Sequence, residues 1–319
     1  MKRLKSLKLS AILLAAVLAV GACKKNATPP PFNEDVDLDG KKINDSSLIH
    51  PENYLLSAAI LNPTPADLSK YVVITAHGFS ATNFEWSEFN DWSKGKTDLL
   101  VSRVLLGGHG RDYEDFKLAT WIDWQAPIIE EYNKLRQMGY QKISIAGSST
   151  GCPLVLNLVA NNKINTDVLK HLFFIDPIIL PSNKSLSLVK VIGPLLGYTE
   201  TTMAPGENGY WYKFLPEKAL QELEHITKKE RKELEKGIVL PSNVTLNVYK
   251  AEQDGSADPA SAVLLDQGVK TSDGSSISVV MVNTDMHVFT RLRGRESITS
   301  EQRNLQLQTF QEIYSELKN

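Results

Sequence analysis

The sequence predicts an α/β fold: a mostly parallel central sheet flanked by helices, with a cap inserted into it. Three observations carry this. Short runs rich in β-branched and apolar residues recur along the chain, amphipathic stretches fall between them, and the alternation breaks once, over residues 178–243. The first of these runs, YVVITAH, reads as a buried strand ended by Gly78.

In order, the expected strands are YVVITAH (71–77), LLVSRVLL (99–106), KISIAG (142–147), VLKHLFFID (168–176), VTLNVYKA (244–251) and SISVVMV (276–282). The first two run into Gly78 and Gly107–Gly108, and the fourth is closed by Pro177. Helices are expected over 83–94, where Phe84, Trp86, Phe89 and Trp92 sit near helical spacing, and over 119–139, which ends in Gly139 as a C′ residue. Pro127 inside the second implies a kink or an earlier start signal. A last helix near 299–317 carries Leu305, Leu307, Phe310, Ile313, Tyr314 and Leu317 on an apolar side. The insertion holds an aromatic cluster, GYWYKFLP, and a charged helix over 216–237 with Leu220, Leu223, Ile226 and Leu234 as its buried side. It is far longer than an ordinary connection, hence the reading as a cap.

Composition narrows the function. Of 319 residues, 42% are hydrophobic and 23% charged, the profile of an ordinary globular chain. Residues 1–22 hold Lys2, Arg3, Lys5, Lys8 and no acid. The remainder has 31 basic and 37 acidic residues, a balance that gives no footprint for nucleic acid. The basic start, the ten-residue apolar run AILLAAVLAV and the following GAC read as an export signal, too short for a permanent span. VGAC (20–23) resembles a bacterial lipobox, which implies cleavage before Cys23, lipidation of its thiol and a lipid-anchored protein of the cell envelope. Cys152 then has no disulfide partner. Residues 23–49 would be the lipidated end and a tether, with PPII character at Pro29–Pro31, and 50–319 the folded domain. Asp35–Asp39 begin like a calcium loop, but Ser46 stands where the bidentate glutamate belongs, so the segment reads as an acidic turn.

The chemistry centres on Gly147-Ser148-Ser149-Thr150-Gly151, a G-x-S-x-G pattern after the KISIAG strand and before the apolar helix CPLVLNLVA. A serine on so sharp a turn needs small neighbours two before and two after, because the backbone folds back on itself there. His77-Gly78-Phe79-Ser80 ends the first strand in a second turn, from which the Phe79 and Thr150 N–H groups can face one crevice as an oxyanion hole.

With AHGFS, LLGGHGRDYEDF and IAGSSTGCPLVL in these positions, residues 68–317 resemble the α/β-hydrolase family, and Gly108-His109-Gly110 its carboxylesterase and monoacylglycerol-lipase branch. The resemblance implies the chain order nucleophile, acid, histidine. It points to Asp254 as the acid, ahead of Asp258 and Asp176, and to His287, alone among six histidines in following that acid. The implied activity is a serine hydrolase of small to medium acyl esters, with Ser149, Asp254 and His287 as triad and neither metal nor cofactor; a thioesterase or acyltransferase would use the same three residues, and the alternative class is a non-catalytic envelope lipoprotein that uses the scaffold for binding. His287 must be neutral to act as base, so activity should fall in acid. His77 and His109 read as loop-shaping residues and Cys152 as a packing residue. Tyr210, Trp211, Tyr212 and Phe214 could line an acyl pocket or pack the cap.

Overall fold

The computed structural model describes residues 55–182 and 197–319. The export signal, Cys23, the tether, Asp35–Asp39 and cap residues 183–196 lie outside the described residues.

Seven strands form the main sheet: β1 (Leu55–Leu56), β2 (Tyr71–Ala76), β3 (Leu99–Val104), β4 (Ile143–Ser148), β5 (Leu169–Ile175), β9 (Thr245–Ala251) and β11 (Ser278–Val282). They lie in the order β1-β3-β2-β4-β5-β9-β11, all parallel except the short edge strand β1, which runs antiparallel to β3. The six expected strands are therefore the six parallel ones. β2, β4 and β5 are central and buried almost throughout, which is why they read as unbroken apolar runs.

Helices cover both faces. On one, Phe89 of α2 (Ser87–Ser93), which continues a 3₁₀ turn over Asn83–Trp86, packs with Phe310 and Ile313 of the last helix, α8 (Ser300–Glu316). Leu307, expected on the apolar side of α8, is 47% exposed, because it lies off the stripe through Phe310, Ile313 and Leu317. The other face carries α4 (Trp121–Gln137) and α5 (Gly151–Ala160), after the short α1 (Pro65–Leu68) and α3 (Tyr113–Leu118). Thr120 caps α4 in a capping box with Asp123. Pro127 is inside the helix, so the Asp123 carbonyl lacks its usual helical donor; Gly107 backs onto that carbonyl, where a Cβ would come within 2.2 Å.

Between β5 and β9 the described part of the insertion comprises a hairpin of β6 (Tyr198–Glu200) and β7 (Phe214–Pro216), the long α6 (Glu217–Lys236) and β8 (Ile238–Val239). β8 pairs with β10 (Val269–Lys270), which follows α7 (Ala260–Gly268). α6 lies on α5 and α7 and buries Ile226 and Leu234, while Leu220 and Leu223 are half-buried. Among the described residues no helix is long and apolar enough to cross a membrane.

α6 also buries a charge that the hydrophobic pattern hides. Glu230 is wholly buried; Asn157 Nδ2 donates to its Oε1 at 2.7 Å, and among the described residues its Oε2 has no hydrogen-bond partner. Burial pushes its carboxyl up to about 7, against the Asn157 hydrogen bond. The folded chain thus binds a proton there that the unfolded chain has released, between an ordinary glutamate value near 4.3 and about 7. Stability should be lost as pH rises through that window. From pH 5 to 8 the wild type is expected to lose about 2–3 kcal/mol more than Glu230→Gln, read from urea midpoints. Equal losses in the two proteins would refute the assignment.

Candidate active site

Ser149 stands on the turn between β4 and α5 with φ +48°, a left-handed conformation that a serine adopts only where its surroundings enforce it. Its N–H donates to Ile175 O at 2.9 Å, and its own carbonyl accepts from Cys152 and Ile178. Glycines make the fold-back possible. A Cβ on Gly147 would come within 2.8 Å of Cys152 N, and one on Gly151 within 2.3 Å of Ala76 O. Asp176 after β5, Val288 beside His287 and Ser80 after β2 also have positive φ, so backbone strain gathers around this serine.

His287 Nε2 lies 2.8 Å from Ser149 Oγ, and His287 Nδ1 lies 2.7 Å from Asp254 Oδ2. The carboxylate fixes the tautomer: Nδ1–H donates to Asp254, leaving Nε2 to accept the Ser149 proton. Asp254 is held in turn by the Ser256 and Ala257 N–H groups, at 2.7 and 3.1 Å from its Oδ1. Burial would raise its pKa, but the hydrogen bond from His287 and the charges of His287 and Lys250 outweigh that and hold it well below the usual carboxylate range. Arg295 Nη2 donates to the His287 carbonyl and pins its loop. The structure therefore brings Ser149, His287 and Asp254 into one hydrogen-bonded chain.

The other two acids are engaged differently. Asp258 lies just before α7, its Oδ1 accepting from Ala260 N–H at 2.9 Å. Asp176 is wholly buried and accepts from Ala251 N–H at 2.7 Å and Phe289 N–H at 3.3 Å.

The turn after β2 abuts the serine: a Cβ on Gly78 would lie 3.1 Å from Ser149 Cβ. Among the described residues the Phe79 and Thr150 N–H groups have no hydrogen-bond partner, which leaves both free for an incoming oxygen. His77 shapes this turn, as its sequence position suggested. Its Nε2 accepts from Leu106 N–H at 3.0 Å and its Nδ1–H donates to Gly78 O at 2.9 Å. Burial pulls the ring down to about 4, so it stays neutral. Burial likewise keeps His109 well below the usual histidine range. Cys152 is buried with its thiol pushed well up by that burial, the packing residue its position implied.

Two functional neighbours escaped the sequence reading. Glu85 is buried under the turn, where its Oε1 accepts from Gly78 N–H at 2.8 Å and from Ser148 Oγ–H, while Trp86 Nε1–H donates to Ser148 Oγ at 3.0 Å. An acid in an amphipathic run reads as a solvated face, and nothing local marks it as buried. The second is Lys250 on β9, wholly buried, with its Nζ 3.3 Å from Asp176 Oδ1 and bonded to Asp254 Oδ2.

The cap aromatics divide. Tyr212 and Phe214 are buried, and the Tyr212 hydroxyl donates to Arg111 O at 2.8 Å and accepts from Arg111 N–H at 3.0 Å. Tyr212 packs the cap onto α3, its ring stacked on Phe116, and Phe214 meets Tyr198 edge-on within the cap hairpin. Tyr210 and Trp211 are half-buried, Tyr210 stacked on Phe84 at 3.7 Å between centroids and Trp211 under the Arg291 guanidinium at 4.5 Å.

Among the described residues one group brings metal-ligating atoms together: Asp176, Asp254 and His287, with one atom of each within 4.8 Å of the others. The Lys250 ammonium already takes the cationic place between the two carboxylates, and both His287 nitrogens are engaged.

The chain is 24% identical over 228 residues to the thermostable monoacylglycerol lipase of Bacillus sp. (strain H-257), a match covering 68% of this chain and 83% of that protein. A soluble variant of the monoglyceride lipase of Saccharomyces cerevisiae superposes with a TM-score of 0.63 at 10% identity, over 91% of this chain and 98% of that one. A metagenome-derived lipolytic enzyme gives 0.61 at 16% identity, over 77% and 94%. The monoacylglycerol lipase of Paleococcus ferrophilus gives 0.56 at 13%, over 77% and 94%. No protein-family model matches the chain.

Proposed function

From the premise that this chain is an α/β-hydrolase, we propose that it cleaves carboxylic esters of small to medium acyl chains through an acyl-enzyme on Ser149. The observation that carries this is the pair of contacts made by His287, 2.8 Å to Ser149 Oγ and 2.7 Å to Asp254 Oδ2. His287 takes the serine proton as Oγ attacks the ester carbonyl. Asp254 holds the ring in the accepting tautomer and stabilises the imidazolium. The Phe79 and Thr150 N–H groups receive the oxyanion, and His287 returns its proton to the leaving alcohol. Water, activated by the same ring, then frees the acid. The lipolytic names of the similar proteins support glycerol monoesters as the first substrates to try.

The folded body is proposed to work from a membrane surface, tethered through lipidated Cys23 in a bacterial envelope, where acyl esters are concentrated. The experiment is hydrolysis of a series of monoacylglycerols and p-nitrophenyl esters of rising chain length, by membranes carrying wild type or Cys23→Ala. Activity sedimenting with membranes in the wild type, and released to the soluble fraction by the substitution, is the expected result. Sedimentation of both would sink the anchor, and inertness toward every ester would sink the activity.

A further inference from the structure

Lys250 sits one residue before the end of β9, a strand between β5 and β11. Its side chain is wholly buried and its ammonium stands between two wholly buried carboxylates, Asp176 and Asp254. Burying a lone ammonium costs several kcal/mol, so at least one of its two partners has to be charged. The donors agree. Asp176 accepts from Lys250 and the Ala251 and Phe289 N–H groups, and Asp254 from Lys250, His287 and the Ser256 and Ala257 N–H groups. Burial raises the Asp176 carboxyl, opposed by the charges of Lys250 and His287 and by the Ala251 N–H. With both acids ionised, one positive and two negative charges leave a net charge of minus one behind the His287 ring.

We propose that Lys250 is a positioning residue and, with Asp176, a charge-balancing pair: it makes a two-carboxylate site act on His287 as one carboxylate would, and so sets how firmly the ring holds a proton. The role of His287 as base rests on the function proposed above; the charge balance itself does not. The other titratable groups around the cluster are Cys152 on α5, Glu85 under the oxyanion turn, and Arg295, which is itself faced by Arg291 and Glu207. Burial keeps the Cys152 thiol protonated. It also brings Arg295 down to about 10, still charged at neutral pH, so neither changes state where a histidine titrates.

Two substitutions that break the same ion pair should then act in opposite directions. Asp176→Asn keeps the shape and removes a negative charge, so the imidazolium loses attraction and the ring should titrate lower, by roughly one to two pH units. Lys250→Met removes the positive charge and should move the midpoint upward by a similar amount. The double variant, neutral at both positions, should return close to wild type. A purely structural pair would move both single variants the same way, or leave the midpoint in place.

The test is an NMR titration of ring-labelled histidine in the full chain in detergent, with the His287 signal identified by its loss in His287→Gln. The acid limb of fluorophosphonate labelling is followed in parallel. A lower midpoint in Asp176→Asn with recovery in the double variant supports the proposal. An unchanged or raised midpoint in Asp176→Asn overturns it. Asp176→Asn decides the matter even if Lys250→Met fails to fold. Absence of fluorophosphonate labelling in the wild type would count against the proposed hydrolase, while the ring titration would still read the charge balance.

Discussion

Ser149→Ala should abolish labelling by a fluorophosphonate probe and lower ester hydrolysis by at least about 10⁴-fold. The variant keeps the crevice and the base but removes the one oxygen within 2.8 Å of His287 Nε2. What remains is the rate that the oxyanion donors and substrate binding supply by themselves. Ser148 cannot stand in, since its hydroxyl is donated to Glu85 beneath the turn. The fold should survive: alanine at φ +48° is strained as serine is, so the thermal midpoint should correspond to a change within about 1 kcal/mol. Undiminished labelling of a folded Ser149→Ala protein would place the reactive nucleophile elsewhere.

The next largest effect is expected from a single methyl group. In Gly151→Ala the new Cβ would lie 2.3 Å from Ala76 O, 2.9 Å from Ala76 C and 3.0 Å from His77 O. These are backbone atoms at the end of β2 and cannot rotate away. α5 must lift off the sheet, moving Ser149 at one end of the contact and the Gly78–Phe79 turn at the other. A cost of about 3 kcal/mol or more is expected, with labelling slowed about 100-fold by misplacement of the serine. Gly255→Ala is the comparison. Gly255 adjoins Asp254, yet its Cβ would meet nothing within 4 Å, so stability and labelling should stay near wild type. If both variants behave alike in thermal melts and labelling, the close approach at Gly151 does not position the nucleophile.

Much of this site was legible along the chain because the signals involved are local. A serine turn needs glycines two before and two after, and Gly147 and Gly151 supply them. A central parallel strand is apolar on both faces, and residues 71–76, 143–148 and 169–175 show it. The order Ser149, Asp254, His287 is a property of the sequence itself, and the structure closes those three into one hydrogen-bonded chain.

Other features depended on neighbours far away in sequence. Asp254, Asp258 and Asp176 each end or follow a strand, and only the packing shows which carboxylate reaches the His287 ring. Tyr212 and Phe214 read the same as Tyr210 and Trp211, until the cap closes over the first pair and leaves the second half-buried. Glu85, Glu230 and Lys250 occur in runs where a charge normally faces water, yet all three are buried. The sequence determined the strands, the turns and the chemical groups, since periodicity and backbone freedom act within a few residues. The tertiary structure alone decided which charges are buried and what neutralises them, because desolvation and Coulomb attraction depend on what lies across space, as the 3.3 Å between Lys250 and Asp176 shows across 74 residues of chain.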